Sequence, residues 1–118
     1  MEALQRLDVW KRACRLAVEV YQATARCPDR GYRDQVTRSA LSIASNIAEG
    51  YERETVKERI RFLLIAKGSA GECWTQLLIG MEAGLVSEDP GRRLAAEAEE
   101  IAKMLRGLAK HFRSSLGV

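Results

Sequence analysis

The residues with the most distinctive chemistry are cations spaced along one predicted helix. Four of them follow one another at intervals of three, four and three residues: Lys103, Arg106, Lys110 and Arg113. This spacing places them on a single helix face. Such a stripe can neutralise phosphates and release counterions, which gives sequence-independent affinity for RNA or DNA that falls with salt. The four are therefore candidate nucleic-acid contacts, and a solvated helix face is the alternative interpretation.

A second basic group lies near the start of another predicted helix. Arg53 and Lys57 are its candidate contacts for RNA or DNA. The whole chain carries 19 basic and 16 acidic residues, so its formal net charge of +3 is weaker than that of a strongly basic nucleic-acid module. Few aromatic residues accompany the cations. We therefore expect contact with the phosphate backbone rather than stacking on bases.

A polar cluster falls on the helix that precedes this second group. Four of its side chains share one helix face: Arg38, Ser42, Asn46 and Glu49. If they meet, they form a polar network that fixes one packing arrangement or lines a pocket for a small molecule. In the alternative interpretation they are structural. Asn46 then satisfies backbone groups near the helix end, and Glu49 pairs with an arginine such as Arg53 or Arg61.

No pattern typical of catalysis or metal binding is recognisable in the sequence. His111 is the only histidine, and it lies in a basic stretch, so we expect a surface residue. Cys14, Cys27 and Cys73 are too far apart in sequence for a metal site. Cys14 and Cys73 fall on apolar helix faces and are expected to be buried. We predict a protein without enzymatic activity, cofactor or metal.

Four amphipathic helices are predicted to position these residues, because apolar residues recur at intervals of three and four. They cover residues 8–26, 33–49, 55–83 and 88–114, with the third beginning at 54 or 55 and the fourth between 88 and 90. Capping residues set these limits. Asp8, Thr55 and Ser87 are predicted N-caps, and Gly50 and Gly84 are predicted to follow the second and third helices.

Short connections between four helices favour an all-α fold, an antiparallel up-down-up-down four-helix bundle. A chain of 118 residues that is 47% hydrophobic supports one core, so we predict a single domain, 1–118. Trp10, Trp74 and Leu77 are the predicted core anchors. No apolar run is long enough for a membrane span, no signal peptide is recognisable, and the cysteine count is odd. We therefore expect a cytoplasmic protein without membrane contact.

Small residues interrupt the third helix at a position where they are costly. Gly68, Ser69 and Gly71 lie in its middle, and each glycine costs about 1 kcal/mol relative to alanine. Close approach of another helix would offset that cost. The strand and the Lys-Ser/Thr ending of a phosphate-binding loop are missing here. The pattern therefore favours helix packing over a ligand site.

Longer stretches of the chain resemble a known family. Residues 42–51 (SIASNIAEGY) are similar to the signature of a bacterial family of small four-helix-bundle proteins, some of which are encoded by intervening sequences inside large-subunit ribosomal RNA genes. Residues 7–11 (LDVWK) resemble the start of the family, and residues 61–77 resemble its second block. The resemblance spans about residues 7–84.

The resemblance implies a four-helix bundle that forms a ring-like homopentamer in some members and has no attached enzymatic activity. It also implies a distant similarity to the accessory protein of diversity-generating retroelements, a basic pentamer that binds nucleic acid and a reverse transcriptase. Three features depart from these relatives. Ala44 stands where the family often has proline, and Cys27 replaces a usual aromatic or aliphatic residue before Pro28. The strongly basic charge of the retroelement protein is also missing.

Three hypotheses follow. The first is a non-enzymatic protein that self-assembles, as a homopentamer, through these candidate interface residues: Arg38, Ser42, Asn46, Glu49, Gly50, Gly68, Ser69 and Gly71. The second adds RNA or DNA binding, because a modest basic patch becomes a large positive surface when it is repeated around a ring. The third is an enzyme or a small-molecule binder with a polar pocket around Arg38, Asn46 and Glu49. A scaffold subunit that binds only proteins is a further alternative.

Overall fold

The computed structural model describes residues 1–116, and all regular secondary structure in that range is helical. Five helices follow one another: α1 (Glu2–Gln5), α2 (Asp8–Thr24), α3 (Arg30–Glu52), α4 (Val56–Glu82) and α5 (Glu88–Ser114). The predicted all-α class is confirmed, and α1 is a single turn that was not predicted. Within the described range, no helix combines the length and the apolar content that crossing a bilayer requires.

Each long helix packs against the next one in the chain, and α5 also packs against α2. The helices α2 and α5 run in opposite directions. Arg12 of α2 contacts Glu97 of α5, with Nη2 of the arginine 2.6 Å from Oε1. Further along α2, Glu19 contacts Arg93, which precedes Glu97 in the chain. In this arrangement α2 and α4 lie diagonally opposite each other, and the molecule measures 48 × 24 × 22 Å.

The core lies between the four long helices. Its largest fully buried side chains include Leu16, Val20, Ile43, Ile47, Leu63, Leu77, Leu94, Ile101 and Leu105. Each such side chain contributes about 1.5–3 kcal/mol through its burial. Of the predicted anchors, Leu77 is confirmed and Trp10 is half-buried against the core. The prediction for Trp74 is wrong, because Cys73 takes the inward position and Trp74 is left 38% exposed.

Two of the three predicted N-cap residues occupy that position and one does not. The Thr55 side chain caps α4, since its Oγ1 accepts a hydrogen bond from the backbone N–H of Glu58 at 3.1 Å. Ser87 occupies the N-cap position of α5, although its side chain makes no capping hydrogen bond. Asp8 is the first residue of α2 rather than its N-cap, because Leu7 has the extended backbone of that position.

α3 is longer than predicted at both ends. It begins earlier because the side chain of Asp29 accepts a hydrogen bond from the backbone N–H of Tyr32 at 2.9 Å. It also continues past Gly50, so the prediction of a left-handed residue after the helix is wrong there. Gly50 instead allows close packing on α4, since a Cβ at this position would lie 3.1 Å from the Cβ of Phe62.

A proline and a glycine lie just beyond the C-terminal ends of α2 and α4, respectively. α2 ends at Thr24, two residues before the predicted limit and ahead of Pro28. Gly84 has a φ of +75°, a left-handed conformation that glycine adopts without steric cost, and the predicted end of α4 is confirmed. The backbone N–H of Leu85 closes this turn by donating to the carbonyl of Gly80 at 2.7 Å.

Candidate functional site

The outward side of α4 carries large apolar side chains in addition to those that face the core, and the exposed Glu72 lies among them. We call this surface the α4 outer face, and its large exposed side chains are Leu64, Ile65, Trp74, Leu78 and Ile79. A helix that is hydrophobic on all sides is normally covered on all sides. No described part of the chain covers this face. The surface is therefore the strongest sign of a missing partner in the molecule.

Gly68 and Gly71 lie in the middle of the α4 outer face. Both are exposed, and a Cβ built on either one meets no atom within 4 Å among the described residues. The close approach of another helix that the sequence predicted is therefore not present among the described residues.

A polar network joins the signature segment of α3 to the middle of α4. Ser42 Oγ and Ser69 Oγ share a hydrogen bond of 2.9 Å. Asn46 donates through Nδ2 to both the hydroxyl and the carbonyl of Ser42, each at 2.9 Å. These three predicted site residues meet inside one chain, where they hold α3 against α4.

A second network lies further along the same two helices and was not predicted. Ser39 Oγ donates to the side-chain oxygen of Gln76 at 2.6 Å, and the hydroxyl of Tyr32 donates to the carbonyl of Gln76 at 2.5 Å. Burial raises the pKa of Tyr32 to about 12 and that of the neighbouring Cys73 to about 11. The only sequence signal is the spacing of polar residues that face α4.

The four side chains proposed to line a small-molecule pocket are dispersed. Arg38 is exposed, and Asn46 is engaged with Ser42. Glu49 pairs with Arg53, with Oε2 and Nη2 3.2 Å apart. Asn46 and Glu49 thus make contacts of the kind that the structural interpretation describes, and the pocket loses the residues on which it depended.

An open groove of about 490 Å³ lies between α4 and the last turns of α5. We call it the basic groove, and four cations line it: Lys67, Arg106, Lys110 and Arg113. None of these four has a carboxylate partner among the described residues. Leu64 and Ala109 supply its apolar surface. Unpaired cations from two helices converge here, an arrangement that can bind phosphate.

Sequence spacing identified three of the four cations in the basic groove. It missed Lys67, which lies on a different helix and joins the others only through the packing of α4 on α5. Lys103 belongs to the same stripe of α5 but does not line the groove. The groove thus includes one residue that was not predicted and leaves out one that was.

Arg53 and Lys57 lie in a different electrostatic setting. Arg53 pairs with Glu49 and also lies over the ring of Phe62, with its guanidinium carbon 4.8 Å from the ring centre. The neighbouring depression is lined by further carboxylates: Glu52, Glu54 and Glu58. Lys57 is exposed. Arg53 is therefore offset by acidic neighbours, unlike the cations of the basic groove, whereas Lys57 makes no ion pair with a carboxylate of the described chain.

An arginine–aromatic cluster closes one end of the molecule. The guanidinium carbon of Arg59 lies 4.4 Å from the ring centre of Tyr51 and 5.1 Å from that of Phe112. Burial raises the pKa of Tyr51, and the charge of Arg59 acts in the opposite direction. Cation–π contacts of this kind contribute about 0.5–2 kcal/mol. The cluster ties α3, α4 and α5 together and was not predicted.

The two surfaces described above present cations and exposed apolar side chains. His111 is exposed, as predicted for a surface residue. Within residues 1–116, no group of three or more histidine, cysteine, aspartate or glutamate side chains is arranged to hold a metal ion. The described chain is thus a small helical protein with an uncovered apolar face beside a basic groove that no carboxylate lines.

The chain belongs to the 23S rRNA-intervening sequence protein family, whose model matches residues 5–107. A crystal structure of a protein of unknown function from the S23 ribosomal protein family of Bacteroides thetaiotaomicron is similar. It has a TM-score of 0.81 and 22% sequence identity, covering 86% of this chain and 98% of that one. No curated protein matches the chain. The family resemblance predicted from the sequence is confirmed, and the structural similarity shows the fold.

Proposed function

We propose that the protein is a non-enzymatic, single-domain, antiparallel up-down-up-down four-helix bundle that self-assembles as a homopentamer. The contacts between successive long helices, and between α5 and α2, support the bundle. The α4 outer face supports self-assembly most directly, because five large apolar side chains lie there uncovered in a single chain. The pentameric number comes from the family resemblance. Three free cysteines suit a reducing compartment, and we place the assembly in the cytoplasm.

Two energetic terms favour covering the α4 outer face. Ile79 is 55% exposed, and burying a large aliphatic side chain is worth about 1.5–3 kcal/mol. Gly68 and Gly71 each cost the helix about 1 kcal/mol relative to alanine. Because no described residue fills the space beside them, that cost is offset only when a second copy packs there.

Placing a charge on the α4 outer face tests self-assembly. Ile79→Glu would bury a carboxylate in the interface, so we expect this variant to lose the assembled species and run at the mass of one 13.2 kDa chain. Size-exclusion chromatography with light scattering measures this. Ala96→Glu adds the same charge at an exposed position of α5 and should leave the assembly intact. Equal masses for both variants would contradict the proposal.

We also propose that the assembly binds RNA or DNA independently of sequence through the basic groove. The supporting observation is that its four cations lack carboxylate partners in the described chain. Each phosphate neutralised on duplex DNA adds about 0.9 to the slope of log affinity against log salt. Repetition of the groove around a ring multiplies these contacts. If the groove binds nothing, the protein remains a scaffold that contacts only proteins.

A pair of charge-matched double variants tests this second function. Arg106→Gln with Lys110→Gln should weaken binding of duplex DNA and structured RNA and reduce the salt slope, measured by fluorescence anisotropy between about 50 and about 200 mM salt. Arg92→Gln with Arg93→Gln removes the same charge outside the groove and should have a smaller effect. Equal losses would mean that only net charge matters. Absence of binding by the unmodified protein at about 50 mM salt would reject the function.

A further inference from the structure

We infer that the α4 outer face of one copy docks on the outer surface of α2 and α3 of another copy, so that the interface is head-to-tail. This inference rests on the proposed self-assembly and names the partner surface within it. The two surfaces lie on opposite sides of the molecule, because α2 and α4 are diagonal in the arrangement of helices.

The second surface is the other exposed apolar area on the long helices. Val18 and Tyr21 of α2 and Leu41 of α3 are each about half exposed. Half-buried Cys14 and exposed Ala25 continue the surface along α2. We call these five residues the α2–α3 patch. Positions 14, 18, 21 and 25 are separated by four, three and four residues, which is the spacing of a coiled-coil seam.

The α4 outer face repeats that spacing. Its positions 64, 68, 71, 75 and 78 are separated by four, three, four and three residues. Leu64 and Leu78 stand at the ends of this seam. Gly68 and Gly71 leave its middle without side chains, and beside Gly71 lies an open groove of about 670 Å³.

The two seams have opposite profiles. Along the α2–α3 patch the large side chains, Val18 and Tyr21, lie in the middle, and the small ones, Cys14 and Ala25, lie at the ends. Along the seam of the α4 outer face the order is reversed, with the two glycines in the middle and the two leucines at the ends. Docking one on the other places Tyr21 over the space beside Gly71, so that large residues face small ones. Pairing two α4 outer faces would bring together surfaces of identical profile.

Charge at the edges of the two surfaces is complementary. Glu72 and Glu82 are exposed on α4 and make no ion pair within residues 1–116. On α2, Lys11 and Arg15 are exposed around the patch and pair with Asp8 and Glu19 of their own helix, and Arg26 is exposed beyond its end. Arg26 likewise has no carboxylate partner in the described chain. Opposite charges across an interface favour one partner surface over others.

A head-to-tail interface also accounts for both apolar surfaces at once. An interface related by a twofold axis uses the same patch on each copy, so pairing through α4 alone would leave Val18, Tyr21 and Leu41 uncovered. A head-to-tail interface covers one α4 outer face and one α2–α3 patch at each contact. If the rotation between copies closes, the result is a ring in which no apolar surface is left over.

Mixing two variants, each blocked on one surface, tests this arrangement. Ile79→Glu blocks the α4 outer face, and Val18→Glu blocks the α2–α3 patch. Each variant alone should have the mass of one chain in light scattering. A mixture should form a one-to-one complex of twice the 13.2 kDa chain mass and stop there, because the remaining two surfaces are blocked. Ala96→Glu, the control on α5, should assemble like the unmodified protein.

The possible outcomes separate this inference from the proposed function. If Val18→Glu alone still assembles, or the two variants do not combine, the docking of the α4 outer face on the α2–α3 patch is wrong although self-assembly stands. If the unmodified protein is a single chain, self-assembly fails and the inference fails with it. Far-UV circular dichroism checks that each variant folds. Should either unfold, Leu78→Glu and Tyr21→Glu replace the pair in the same design.

Discussion

Two glycines of α4 occupy opposite surroundings, and alanine at each position separates packing from assembly. A Cβ at Gly71 meets no atom within 4 Å, whereas a Cβ at Gly80 would lie 2.6 Å from the phenol carbon of Tyr32. In the dissociated chain, Gly71→Ala should raise the free energy of unfolding by about 1 kcal/mol because alanine favours the helix. Gly80→Ala should lower it by about 1–3 kcal/mol through overpacking.

Urea unfolding at low protein concentration measures both effects, and light scattering at high concentration shows whether the chain still assembles. We expect Gly71→Ala to weaken assembly while it stabilises the single chain, since the added methyl group occupies the space that a second copy needs. A Gly71→Ala variant that assembles as well as the unmodified protein would mean that the glycine has no role in the interface.

Also at the scale of single residues, Tyr32 makes stability depend on alkaline pH. Its pKa in the folded protein is about 12 because of burial, against about 10 for an ordinary tyrosine. Above pH 10 the unfolded chain therefore loses this proton while the folded chain keeps it. The stabilisation is complete below pH 10 and declines as the pH rises toward 12. The cause is a raised pKa, so the loss occurs on the alkaline side.

Tyr32→Phe is the variant that measures this contribution. It removes the hydrogen bond to Gln76, and we expect it to lower the free energy of unfolding by about 1 kcal/mol at pH 8. Because it also removes the titrating group, the difference from the unmodified protein should shrink between pH 10 and pH 12. Denaturant unfolding at several pH values gives this difference, and a difference that stays constant with pH would contradict the assignment.

At the scale of helices, α4 and α5 together form the basic groove. A contribution of α4 to nucleic-acid binding is therefore expected, which the cations of α5 alone would not predict. Lys67→Gln should weaken RNA and DNA binding about as much as Lys110→Gln, since both side chains line the groove. Lys103→Gln, which removes a charge from the same stripe outside the groove, is the matched control and should have less effect. Anisotropy titrations rank the three variants, and a larger effect at Lys103 than at Lys67 would reject the groove.

The spacing of apolar residues predicted the four long helices, because the buried side of an amphipathic helix has apolar residues at intervals of three and four. The same spacing does not identify the buried side of a helix that is apolar on two sides. On α4 the spacing alone did not distinguish the outward Trp74 from the inward Cys73 and Leu77, and the tryptophan was assigned to the core. Gly50 was read as a local helix end, whereas its role is set by the distant Phe62.

The polar contacts between helices were harder to predict for a similar reason. Asn46 and Ser42 were recognised as one cluster because they share a helix face. Ser69 was singled out only as a small residue, and Gln76 not at all, since their hydrogen-bond partners on α3 lie 27 and 37 residues away in the sequence. Local patterns identify the faces of helices, and only packing decides which faces meet.

At the scale of the whole molecule, the surface proposed for assembly adjoins the surface proposed for nucleic-acid binding. Leu64 belongs to the α4 outer face and also lines the basic groove, so the edge of the interface adjoins the cations. Ile79→Glu should therefore reduce nucleic-acid affinity and flatten its salt dependence, although residue 79 lies outside the groove, because a single chain contacts fewer phosphates than a ring. Anisotropy at several salt concentrations measures both quantities, and unchanged binding would separate the two functions.

A single chain leaves the outward side of α4 uncovered, and we propose that other copies of the chain cover it. Sedimentation equilibrium of the unmodified protein tests this most directly. We predict a mass of about five times 13.2 kDa that persists on dilution until the subunits separate together. A mass of 13.2 kDa at high protein concentration, with a folded circular dichroism spectrum, would contradict the claim.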